Sequence, residues 1–117
     1  MTLSVYPYRR KANQEIEYLS VPPDYSELAG TEATRWSFWG SPQVKALGVS
    51  LLPALTHQDI YAESHQLTQL RQEIETLQQQ LSNICTIPEQ EHWQIRLSNI
   101  LTAIQIAKEH DGGVYIG

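Results

Sequence analysis

The sequence predicts an α+β domain: a mostly antiparallel sheet packed against two long antiparallel helices, with a short C-terminal strand. Three observations predict it. Leu67, Leu70, Ile74, Leu77, Leu81 and Ile84 recur at alternating steps of three and four, the spacing of one narrow apolar seam on a helix. A second helical pattern begins at Thr86, and two long helices joined by a short loop pack antiparallel. The first twenty residues alternate with the period of a strand instead. No internal repeat or linker interrupts the chain, so residues 1–117 are expected to form one α+β domain.

The elements follow in order. Leu3 and Val5 alternate with Ser4 and Tyr6. Glu15-Ile16-Glu17-Tyr18 alternates after a basic turn, Arg10-Lys11-Ala12-Asn13, so an antiparallel hairpin is expected. Val21-Pro22-Pro23 stops its second strand, because proline has no N–H for a ladder. Asp24 offers an N-cap, with Glu27 three residues on and Gly30 as a stop, which predicts one or two helical turns. Thr34 to Trp39 reads as a strand, with Trp36 and Phe38 on one face and Arg35, Ser37 and Trp39 on the other. Ser41-Pro42 through Gly48 is a compact helix, capped by serine and ended by glycine.

Val49 to Leu55 is short and apolar, and Pro53 marks it as an edge or interrupted strand. Asp59-Ile60-Tyr61-Ala62 is a further short strand before the seam helix opens near Ser64. That helix is glutamine-rich away from its seam, which needs a covering element in the same chain or in a partner. The last helix opens on a capping box, Thr86 and Glu89, with Pro88 in its first turn. Trp93, Leu97, Ile100, Leu101, Ile104 and Ala107 share one face, with Ile95 and Ile106 nearly opposite, so a place between two layers is expected. Gly112-Gly113 ends the helix, and Val114-Tyr115-Ile116 is expected to dock as a terminal edge strand.

Composition narrows the function. Apolar content is 41% and the net charge is −5. Residues 1–50 balance five basic against five acidic side chains, so the whole excess sits on residues 51–117. A field of that sign repels nucleic acid and anionic membranes and would steer a basic partner, or simply keep the protein soluble. No run approaches the ~18 apolar residues of a membrane span. The start, MTLSVYPYRRK, lacks a basic region followed by an apolar one, so no secretory signal is expected. The lone Cys85 excludes an internal disulfide and fits a reducing compartment, and a cytoplasmic location is expected.

No catalytic constellation emerges. His57, Asp59, Glu63 and His65 form the densest group of metal-type ligands, yet their spacing matches no metal motif. A polar loop at a helix entry has the same composition, so no metal or cofactor is expected. Cys85 with His92 or His57 as base has the residue types of a thiol nucleophile, but a small thiol beside an apolar seam is ordinary core. Arg9-Arg10-Lys11 with Tyr6 and Tyr8 is a weak nucleic-acid footprint beside the acidic remainder. Gly112-Gly113 is a poor phosphate cradle, since no helix can follow it. Trp39, beside Gly40-Ser41, is a candidate interface anchor, with burial between layers as the alternative. Tyr61, Glu63, Glu73 and Glu91 complete the candidate partner contacts: one further aromatic, and three carboxylates to meet a basic surface.

The stretch Trp39-Gly40-Ser41, then Leu47-Gly48, then Leu51-Leu52-Pro53, then two helices and a Gly-Gly strand resembles small bacterial immunity proteins. The resemblance covers roughly residues 35–117 and lies in element order. It implies a non-catalytic inhibitor that binds and blocks a toxin, often a nuclease, and it carries over no site residues. A homo-oligomeric assembly protein using the Leu67–Ile84 seam, and a small-ligand or metal-binding protein using residues 57–65, are the other readings.

Overall fold

The structure, a computed structural model, describes residues 2–117. Its five strands form one antiparallel sheet: β1 (Thr2–Arg10), β2 (Ile16–Tyr18), β3 (Leu28–Thr31), β4 (Ile60–Glu63) and β5 (Gly113–Ile116). Three helices accompany it: α1 (Pro42–Lys45), α2 (His65–Ile84) and α3 (Ile87–Glu109). The α+β architecture read from the sequence is the one observed.

β1 organises the sheet, whose order is β2-β1-β5-β4 with β3 also on β1. β5 pairs along one edge of β1, Val5 opposite Ile116 through Tyr8 opposite Gly113. The other edge is shared in tandem: β3 takes Thr2 to Ser4, and β2 takes Tyr8 to Arg10. That division accommodates Pro7. Its missing N–H falls in the gap between the two short strands, while its carbonyl accepts from the Leu19 N–H (3.0 Å). β5 therefore lies between β1 and β4, and the expected edge position is corrected. The hairpin itself is as expected, closed by hydrogen bonds between Lys11 N–H and Glu15 O and between Gln14 N–H and Lys11 O.

Three local expectations are overturned, each by a distant partner. Residues 24–30 do not form a helix. Tyr25 N–H closes a turn onto Pro22 O (3.0 Å), and residues 28–31 become β3. An isolated turn or two of helix is marginal, whereas the edge of β1 supplies ready hydrogen-bond partners. The chain from 34 to 39 is no strand but a π-helical turn, Arg35–Trp39, in which Gly40 N–H donates to Arg35 O (2.9 Å). The turn brings adjacent Phe38 and Trp39 to the same side, which an alternating strand cannot do. Phe38 stacks on Trp93 (centroids 3.5 Å, planes 9° apart), and Trp39 meets both edge-on at 5.0 and 5.3 Å. Residues 52–56 are a 3-10 helix rather than a strand. The Glu73 carboxylate collects the N–H groups of Ser50, Leu51 and Leu52 (3.0–3.2 Å) at its start.

The capped elements match the sequence. Ser41 Oγ accepts from Val44 N–H (3.2 Å), and Thr86 with Glu89 completes the capping box of α3. α3 lies over β1, β3 and β5, and α2 lies beside it and over β4. The Leu67–Leu81 seam is buried by this chain's own elements, with Leu70, Ile74 and Leu77 fully inaccessible. On α3 the main apolar face is buried as expected, yet Ile95 points to solvent, 54% exposed.

Candidate functional site

Strand alternation sends successive side chains to opposite faces. Leu3, Val5, Ile60, Ala62, Val114 and Ile116 turn toward the helices and are buried. The opposite face carries Tyr6 and Tyr8 from β1, Tyr18 from β2, Tyr61 from β4 and Tyr115 from β5. Five of the six tyrosines thus share one face. Their rings form two groups across the strands: Tyr6 with Tyr18 at 5.4 Å, and Tyr61 with Tyr115 at 5.0 Å and with Tyr8 at 6.1 Å between centroids. Tyr18 (57%) and Tyr61 (47%) are the most exposed.

Two polar clamps bracket the rings. At one, Glu63 accepts from Tyr8 Oη (2.6 Å) and from Arg10 Nε (2.9 Å). Tyr8 reaches Glu63 across β5 because Gly113 lies in its path. A Cβ on Gly113 would meet Tyr8 Cζ at 2.8 Å, and one on Gly112 would overlap the Tyr8 carbonyl oxygen. Burial, reinforced by the Glu63 hydrogen bond, pushes the Tyr8 hydroxyl well above its usual range. Partial burial works to raise the Glu63 carboxyl, but the hydrogen bonds from Arg10 and Tyr8 outweigh it and hold the group below its ordinary value.

At the other clamp, Asp59 accepts from Arg35 Nη2 (2.7 Å) and Tyr115 Oη (3.0 Å). Burial and the Asp59 contact push Tyr115 up to about 12. Arg35 also donates to Glu32, Leu55 O and Gln58 O, so one guanidinium joins the π turn, the 3-10 helix and the sheet.

The charges of this face are therefore neutralised within the chain. Of the basic tip, Arg9 pairs with Glu17 (3.3 Å) and Arg10 with Glu63 (2.9 Å). Among the described residues only Lys11 there lacks a carboxylate. A phosphate backbone would have to displace these pairs before meeting a cation.

The candidate contacts from the sequence divide. Tyr61 and Glu63 stand together on the tyrosine face. Glu91 is exposed on α3, on the helical side. Trp39 is corrected: it is 0% exposed, locked in the aromatic cluster, and cannot anchor a partner. Its indole N–H finds no acceptor among the described residues, a cost of about 1–3 kcal/mol offset by ring packing on two sides. Glu73 is corrected too. It is 7% exposed, and its oxygens are taken by three backbone N–H groups and Gln69 Nε2 (2.9 Å).

The 57–65 group does not converge, since Asp59 and Glu63 serve opposite clamps. Among the described residues no three His, Cys, Asp or Glu side chains gather to hold a metal ion. Burial, then the nearby Glu89 carboxylate, pushes the Cys85 thiol up and so disfavours the thiolate a nucleophile needs. Among the described residues no helix is long and apolar enough to cross a membrane. The tyrosine face was missed at the sequence level, although Tyr6, Tyr8, Tyr61 and Tyr115 each occupy the outward phase of an alternating strand. No protein-family model, curated protein or solved structure matches this chain.

Proposed function

We propose that this chain is a non-catalytic, cytoplasmic protein-binding module that docks a protein partner on its tyrosine face, and that it acts as an inhibitor of the immunity type toward a basic protein. The observation that carries this reading is a sheet face of five tyrosines, with Tyr18 and Tyr61 about half exposed and Tyr8 buried among them, whose charged neighbours are already paired. Tyrosine supplies large, rigid, amphipathic contact area at little entropic cost, and it is enriched where partners meet. Internal pairing at both clamps means a partner can cover the rings without burying an unmatched charge. Exposed carboxylates on the helical side, such as Glu91 and Glu109 on α3, contribute to the negative excess. It would raise the encounter rate of a basic partner without contacting it.

The test is affinity capture from the native host with three baits: the unaltered protein, a Tyr18→Ala/Tyr61→Ala double variant, and Ile95→Glu on the helical side. A single stoichiometric basic protein held by the first and third baits, and lost from the second, is the expected result. A partner held equally by all three, or none above background, removes the face from its proposed role.

A further inference from the structure

The cluster of Phe38, Trp39 and Trp93 closes one end of the core, and a cleft of ≈410 Å3 opens beside it. Four elements wall this cleft: the π turn, the start of α1, the end of α2 and the first half of α3. Its volume falls within the range of about 300–1,000 Å3 typical of small-molecule sites. Phe38 and Trp93, stacked face to face and only 7% and 6% exposed, leave one accessible edge of their stack as the apolar part of the lining, and the Arg96 guanidinium stands 4.5 Å over the Trp93 ring. His92, four residues before Arg96 and so on the same side of α3, lines the cleft as well.

Arg96 is the exception among the arginines. Arg9, Arg10, Arg35 and Arg71 each hold a carboxylate within 4.0 Å: Glu17, Glu63, Glu32 with Asp59, and Glu75. Among the described residues Arg96 holds none, although the chain carries a net −5. Glu89, which also lines the cleft, is turned to the Thr86 N–H in the capping box (3.4 Å). A partly buried arginine with its planar fork unused, held over an aromatic ring, is preorganised for a carboxylate.

We propose that this cleft binds a small aromatic monocarboxylate. The carboxylate meets the Arg96 fork, with His92 as an adjacent donor, and the ring lies against the accessible edge of the Phe38–Trp93 stack. Glu89, two turns back along α3, adds a negative charge to the same lining, disfavours a second acid group there and so selects a single one. The site is separate from the tyrosine face, and each stands or falls alone.

Calorimetric titration with phenylacetate tests it, phenylacetamide serving as the uncharged match. Saturable binding of the acid is expected, weakened about tenfold or more both for the amide and for the acid with Arg96→Gln. Arg71→Gln, which removes a paired surface arginine, should leave the affinity unchanged, and circular dichroism verifies that both variants fold. Absence of saturable binding up to roughly 10 mM, the weakest range that a specific site of this kind would occupy, overturns the proposal. So does equal binding of acid and amide, or an Arg96→Gln protein that binds as the unaltered one does.

Discussion

The two faces of the sheet are built from the same five strands and obey different rules. The inner face is aliphatic, dry and charge-free: Val5, Ala62, Val114 and Ile116 sit against α2 and α3 with no accessible surface. The outer face is aromatic, half wet and laced with hydroxyl–carboxylate hydrogen bonds. Inner residues contribute by leaving water, each large side chain stabilising the fold by about 1.5–3 kcal/mol. Outer residues gain far less, because Tyr18 and Tyr61 remain half exposed. A strand can thus carry stability on one phase of its alternation and keep the other free for recognition.

That contrast can be broken most forcefully from inside. Val5→Asp places an unpaired carboxylate beneath α3 and is expected to cost more than about 4 kcal/mol, enough to unfold the chain in a urea titration. Ile74→Asp, in the seam of α2, should do the same, as read by the loss of its helical circular dichroism signal. A native-like spectrum for either variant would show that the site is not internal.

Glu73→Ala tests the buried carboxylate that organises the 3-10 helix. Three backbone N–H groups lose their acceptor, and a destabilisation of about 3 kcal/mol is expected, with Glu73→Gln recovering part of it.

On the outer face the effects shrink. Glu63 has a folded-state pKa below its unfolded value, so its contribution is complete above the ordinary carboxylate range and is lost as pH falls through the folded pKa. Solvent screening of this partly exposed pair limits that contribution to less than about 1 kcal/mol. The stabilities of the unaltered protein and Glu63→Gln, compared by denaturant titration, should differ at neutral pH and converge in acid. Comparably small on stability is Tyr18→Ala/Tyr61→Ala, expected to shift it by no more than about 1 kcal/mol while abolishing partner capture. A large loss of stability would make the tyrosines structural and dissolve the contrast.

Elements whose signals are local were legible in the sequence. The seam of α2, the Thr86–Glu89 capping box, the Ser41 cap and the Arg10–Asn13 turn each depend on residues within a few positions of one another. Residues 24–30, 34–39 and 49–55 depart from the sequence expectation because their conformation is decided from afar. The free edge of β1 claims the first, the ring of Trp93 the second, and the carboxylate of Glu73 the third. The candidate site divides along the same line. Tyr61 and Glu63 lie on a strand whose period assigns their face. Trp39 and Glu73 belong to segments where burial is set by packing, which spacing does not encode. The tyrosine face needed the strand order, since its residues come from positions 6, 8, 18, 61 and 115.

The pairing of β1 with β5 has a consequence for how the chain is made. Helices α2 and α3 rest on neighbours in sequence and can associate as soon as both have left the ribosome. β1 is synthesised well before its partner β5, and closing so long a loop is slow. Until then β1 is a nine-residue strand with open edges, the kind of segment that pairs with the wrong chain. The hairpin with β2 shields one end of one edge during that wait. The other edge stays open until residues 113–116 arrive, and a growing chain is most prone to aggregate in that interval.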